Sequence, residues 1–261
     1  MKTNYLLPFI FCFPFLGFTQ QADSLPKKKF ILASVSFELG RMKDRYPSIN
    51  LETMNDWTQN PSEIERDLTG HSVTHDRDVE GSRVGASVAF IPFNQSKKDY
   101  SESQEIRVGL IYMVRGTHLS YVLQTETGAY KSVAYSTRFK EFSLQGAYVW
   151  KYSPSFAKRF TFHGGIGLGI GSTFKDQTSV AEHFSSGQTN EIPKSEFNVY
   201  KGKSSLFGRA FIPAGIDFAL AERFDVGIEA NIGMGKQQVY DGSSYTIQTS
   251  GALYVKVSYF F

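Results

Sequence analysis

From position 30 to the last residue, apolar and polar side chains alternate with a period of two, in runs of about ten residues separated by polar connections. On a pleated strand that period sends successive side chains to opposite faces. The first run, 30–40, places Ile31, Ala33, Val35, Phe37 and Leu39 on one face and Ser34, Ser36, Glu38 and Gly40 on the other. The second, 82–93, sets Val84, Ala86, Val88 and Phe90 against Arg83, Gly85, Ser87 and Ala89. In the third, Ile106, Val108, Leu110, Tyr112 and Val114 oppose Arg107, Gly109 and Arg115, with Ile111 and Met113 as apolar exceptions. It continues through 118–126, turns near Gly128 and returns as a long fourth run, where Phe142, Leu144, Gly146, Tyr148, Trp150 and Tyr152 oppose Glu141, Ser143, Gln145, Ala147 and Lys151.

Past a turn at Pro154, the fifth run has Phe160, Phe162, Ile166, Leu168 and Ile170 opposite Thr161, His163, Gly165, Gly167 and Gly169. The sixth alternates from Leu206 to Leu220, with Arg209, Gly215 and Asp217 on its polar side and Pro213 in its middle, where proline cannot donate to a ladder. A tight turn at 221–223 leads to the seventh, with Phe224, Val226, Ile228, Ala230 and Ile232 opposite Asp225, Gly227, Glu229, Asn231 and Gly233. A loop near 241–244 precedes the eighth, in which Leu253, Val255, Val257, Tyr259 and Phe261 share one face and Tyr254, Lys256, Ser258 and Phe260 the other. Long polar connections at 41–81, which contains Pro47 and Pro61, and at 172–203 predict external loops, while 94–104 predicts a polar turn.

The make-up of the polar face decides which side is inside. A water-facing sheet surface is filled by long Lys, Glu and Thr side chains, whereas this face is mostly Gly, Ser and Ala with single charges scattered among them. The interior of an eight-stranded barrel is only wide enough to be filled by side chains, so small residues belong there. The predicted fold is therefore all-β: an eight-stranded antiparallel up-and-down transmembrane β-barrel spanning 30–261, with the polar face as lumen and the apolar face against lipid. Tyr112, Tyr148, Trp150, Tyr152, Phe218, Phe224 and Tyr259 lie toward strand ends as interfacial girdles. On this reading Ile228→Arg or Leu168→Arg impairs assembly, and Glu229→Gln does not.

Residues 1–19 combine Lys2, an apolar run broken by Pro8 and Pro14, and small residues before Gln20, the pattern of a secretory signal peptide. Residues 20–29, with Lys27, Lys28 and Lys29, then form a short tail. The chain's single cysteine, Cys12, falls inside the signal, so disulfides and thiolate metal sites are excluded from the mature protein. No later apolar run is long enough for a membrane-crossing helix, and mean hydropathy is −0.26. A membrane location then requires a closed barrel. The net charge of +3 is too small to argue for nucleic acid, and no cofactor is expected.

An aromatic residue ending a strand, as Phe261 does after Leu253, Val255, Val257 and Tyr259, resembles the closing strand of bacterial outer-membrane barrels. With the eight alternating runs, the chain resembles the small OmpA/OmpX-type, porin-like outer-membrane family. The resemblance implies an outer-membrane location with both termini periplasmic, short turns on the periplasmic side and long loops outside. It also implies that barrel-assembly machinery reads the C-terminal residues. Outer-membrane lipid would be one partner, and an unidentified extracellular or envelope ligand another.

The chemistry-bearing residues of the inferred lumen are Glu38, Arg83, Arg107, Glu141, His163, Arg209, Asp217, Glu229 and Lys256. Buried charges must be paired, so these predict an ion-pair network that plugs the barrel. The competing reading is a narrow polar path, a passive porin-like conduit for small solutes. His163 is the one histidine on a lumen face, and Gly165 rather than serine stands two positions on, so the His/Ser pair of lipid A deacylases among outer-membrane barrels is missing. An enzyme is not expected, and neither a catalytic nor a metal site is assigned. His71 and His75 stand four apart beside Asp76 and Asp78, yet without a helical apolar face they read as part of a solvated loop. Gly164, Gly165, Gly167, Gly169 and Gly171 lie in a strand with no following helix, which favours close interior packing over a phosphate loop. The leading expectation is a structural or surface-interaction barrel that works through its external loops.

Overall fold

The computed structural model describes residues 30–47, 49–75, 78–92, 102–124, 128–186, 194–239 and 245–261. The signal segment, the basic tail, most of the 94–104 turn and the 241–244 loop lie outside them.

In chain order the elements are β1 (Phe30–Arg45), α1 (Leu51–Trp57), α2 (Pro61–Ile64), β2 (Ser72–His75), β3 (Asp78–Pro92), β4 (Glu102–Gln124) and β5 (Tyr130–Tyr152). They are followed by β6 (Phe160–Ser185), β7 (Lys194–Lys201), β8 (Ser205–Ala221), β9 (Phe224–Val239) and β10 (Tyr245–Phe260). Eight of the strands close a ring in the order β1, β3, β4, β5, β6, β8, β9, β10, each antiparallel to its neighbours. Pairing of β1 with β10 joins the ends of the sheet, and Phe261 N–H donates to the Ala33 carbonyl at 3.1 Å. The short β2 and β7 add to β4 and β6 beyond the rim, on the side of the long connections.

The faces follow the period-two pattern. Phe37 (67% exposed), Leu39, Leu110, Leu144, Ile166, Leu168, Ile228 and Leu253 point outward, while Glu38, Arg83, Glu141, Arg209 and Lys256 are buried inside. Outward side chains stay apolar along β9 from Phe224 to Met234; at about 3.3 Å per residue and a tilt near 40°, that belt is roughly 25 Å tall. On β6 its upper edge is Phe174. Interior glycines let bulky side chains cross the lumen: a Cβ on Gly167 would lie 2.4 Å from the Phe211 ring.

Four sequence expectations need correction. Alternation in β1 breaks at Ala33, where a bulge lies between Leu32 and Ser34, so Phe30 and Leu32 face outward and Ala33 is buried. The supposed loop 41–81 is largely ordered structure: β1 runs on to Arg45, β3 starts at Asp78, and the residues between fold back over the barrel mouth. The supposed loop 172–203 is mostly the continuation of β6 with its partner β7. Finally, His71 and His75, read as part of a solvated loop, stand at the start and end of an ordered stretch. Residues 72–75 form strand β2, where positions four apart are about 13 Å distant, and the His75 side chain lies outside the described residues. Pro213 sits mid-strand as the sequence indicates, and the β6–β8 pairing skips from Gly164↔Ala214 to Gly167↔Phe211 around it.

Candidate functional site

The lumen is filled in tiers. Nearest the short turns, β4 sends Glu105 and Arg107 inward, β5 Lys151, β6 His163, β8 Asp217, β9 Glu229 and β10 Lys256. Glu229 is the hub. It accepts hydrogen bonds from Arg107 at 2.5 Å, from the Tyr254 hydroxyl and from Lys256 at 3.5 Å, and it meets His163 Nε2 at 2.8 Å. Arg107 also pairs with Glu105, whose other oxygen takes Lys151 at 2.8 Å. Lys256 reaches Asp217 at 3.1 Å, and Asp217 lies 3.4 Å from His163 Nδ1. Gly215 and Gly227 make this crowding possible, since a Cβ there would come within 2.7 Å of the His163 ring and 2.0 Å of the Asp217 carboxylate.

One step up, Glu38 pairs with Arg83 at 2.5 Å and accepts the Ser87 hydroxyl at 3.0 Å, and the Arg83 guanidinium lies 4.2 Å over the Tyr254 ring. Met42, Ile111, Met113, Ala252 and Tyr254 then form an apolar layer across the barrel, which accounts for the two apolar exceptions in the third run. Above it, two arginines and two carboxylates make a closed quartet. Arg115 pairs with Asp44 and Glu141, and Arg209 reaches Glu141 at 2.6 Å and Asp44 at 3.2 Å. Gln248 donates to Asp44 at 2.9 Å.

The quartet is roofed by a cap. Tyr46, Ile49, Met54, Trp57 and Ile64 from the β1–β3 connection pack on Leu119, Tyr121, Val133, Tyr135, Phe139, Val180 and Val239 of the strands. Trp57 meets Tyr46 and Phe139 edge-on at 5.6 and 5.2 Å. Asn50 caps α1 by accepting from Thr53 N–H at 2.9 Å. The α1 end is tied to the β7–β8 connection, with Lys203 N–H donating to the Trp57 carbonyl at 2.7 Å and Gln59 N–H to the Lys201 carbonyl at 3.0 Å. Above the belt, Asp176 sits between quartet and cap, held by the Thr173 hydroxyl at 2.5 Å. Burial pushes its carboxyl up to about 7 from an ordinary 3.8.

The native state therefore keeps a proton on Asp176 that an unfolded chain releases at lower pH. The stability contributed here is fully present below the ordinary carboxylate range and falls as pH rises toward 7. Heat-denaturation midpoints are expected to drop between about pH 4 and 7, and Asp176→Asn to flatten that slope.

All nine lumen residues read from the sequence lie inside the barrel. Arg107, His163, Asp217, Glu229 and Lys256 come together in one tier, Glu141 and Arg209 in another, and Glu38 with Arg83 between them. Sequence reasoning put Arg115 and Lys151 on the inward face without joining them to the network, and left out Asp44, Glu105 and the whole cap. Asp44 was legible, because Met42, Asp44 and Tyr46 continue the inward parity of β1 while Arg41, Lys43 and Arg45 point out. Of the cap, only Asn50 before Met54 and Trp57 signals a helix start. The C-terminal residues Leu253, Val255 and Val257 face outward beside β1, and Tyr259 packs edgewise on Phe224 and Phe261 at 5.1 and 5.4 Å.

This arrangement defines a closed eight-stranded antiparallel barrel with a salt-bridged, plugged interior. No protein-family model matches the sequence, and no curated protein matches it. Among solved structures, the chain is similar in fold to surface protein A (NspA) of Neisseria, at 11% identity and TM-score 0.38, over 88% of this chain and 97% of that one. Ail, the attachment invasion locus protein of Yersinia pestis, is similar at 15% identity and TM-score 0.35, over 88% and 100%. The outer membrane protein OprG of Pseudomonas aeruginosa is similar at 10% and 0.34, over 88% and 96%.

Proposed function

We propose that this chain is an integral outer-membrane barrel with a closed lumen and no enzymatic activity, acting as a structural or surface-interaction protein through the cap and hairpins above the rim. The observation that carries this is the inversion of the barrel: an apolar belt faces out while paired charges, an apolar layer and a folded cap fill the centre. A belt of that height matches the hydrocarbon core of a bilayer, and only a closed barrel satisfies its backbone there. The short-turn end, ringed by Trp150, Tyr152, Phe160 and Phe224, faces the periplasm in this reading, and the cap faces outward.

Planar-bilayer recording of the purified protein tests it. Absence of discrete conductance steps is the expected result, and regular steps would favour the solute conduit. The belt is tested by Ile228→Arg and Leu168→Arg, half-exposed positions in mid-belt. Each is expected to cost about 2–4 kcal/mol of membrane insertion, read as loss of the heat-modifiable compact band on gels.

A further inference from the structure

At the upper edge of the belt the outer wall carries a groove that the lumen does not use. Strand pairing sets Gly251 between Lys43 on β1 and Ile232 on β9, and sets Arg41 beside Leu253 one row lower. At Gly251 the outward position is empty, for a Cβ there meets nothing within 4 Å. Arg41, Lys43, Ile232, Gly251 and Leu253 line the depression, and Ile232 and Leu253 are 70% and 60% exposed. Lys43 is bound by Asp78 at 2.6 Å and Glu80 at 2.7 Å. Arg41 and Arg45, outward on the same strand, form no ion pair with any described residue. Three cations against two carboxylates leave the patch positive. Followed along the hydrogen-bonded rows through β3 and β4, Arg41 and Lys43 lead to Lys140 and Arg138 on β5, which are cationic as well, in contrast to the aromatic ring at the opposite end.

The geometry points to a binding site for one acyl chain of a net-anionic membrane lipid with a terminal phosphate. The chain lies over Gly251 between Ile232 and Leu253, and the phosphate is held by Arg41 with Arg45 beside it. The missing side chain at Gly251 supplies the trough, the two apolar walls supply contact area, and guanidinium matches phosphate in charge and hydrogen-bond geometry. The site rests on the membrane reading proposed above.

The test uses the full barrel reconstituted in vesicles, with Ala230→Trp as a reporter one row below the groove and the parent protein's tryptophan signal subtracted. Quenching by brominated phosphatidic acid is compared with quenching by brominated phosphatidylcholine. Phosphatidic acid is expected to be preferred about fivefold. The preference should vanish in Arg41→Gln and in Gly251→Leu, both still forming the heat-modifiable barrel, and should survive added inorganic phosphate. Equal quenching by both lipids overturns the site and leaves the membrane reading standing. No quenching by either overturns both. Loss of the preference on adding inorganic phosphate overturns the lipid assignment in favour of a free anion, and its retention in both variants overturns the roles of Arg41 and Gly251.

Discussion

Replacing Glu141 by alanine is expected to destabilise the barrel by about 3–5 kcal/mol, because it strips the shared carboxylate from two arginines that cannot reach water. Arg115 and Arg209 both bond Glu141, and all three side chains are buried. Asp44 alone then faces two positive charges. Urea unfolding followed by gel mobility should show the shift. The double variant Arg209→Met with Glu141→Leu keeps the Asp44–Arg115 pair and is expected to recover most of the loss; if both variants match the parent protein, the quartet contributes nothing. The same experiment tests one expectation drawn from the alternation alone. Glu229→Gln looks harmless on an alternating strand, yet Glu229 joins Arg107, His163, Tyr254 and Lys256. A loss of about 1–3 kcal/mol is expected there.

Trp57→Ala should cost the cap a comparable about 3–5 kcal/mol while leaving the ring largely untouched. Trp57 is 4% exposed, packs on Tyr46 and Phe139, and its carbonyl receives Lys203 N–H. Removing the indole leaves a cavity under a seven-residue helix that has little stability of its own. Protease cleavage between residues 46 and 75 should accelerate about a hundredfold to several thousandfold, since opening of the cap tracks its local free energy. The heat-modifiable shift of the barrel should stay near the parent value. Unchanged cleavage would mean that Trp57 does not hold the cap down.

Alternation made the strand faces legible in β3, β4, β5, the first half of β6, β8, β9 and β10, because side-chain direction on a strand is set by the backbone alone. It failed at Ala33, where one extra residue flips parity and no local signal marks the flip. The apolar residues of the cap were hidden for another reason. Ile49, Met54, Trp57 and Ile64 have no period of two, stand among charges and prolines, and find partners only on distant strands. Glu105 was passed over, and Lys151 was placed on the inward face but left out of the network, because a charge near a strand end reads equally well as solvated.

By itself, then, the sequence determined the eight strands of the ring, with small and charged residues inside and apolar ones outside, since both follow from local periodicity and the volume of a narrow barrel. Which charges meet was decided by closure of the ring. Asp44 reaches Arg209 across 165 positions and Gln248 across 204, separations that no local pattern encodes. The cap, too, exists only because the closed rim presents Leu119, Tyr135, Phe139 and Val180 as one apolar surface on which a short, irregular segment can be buried.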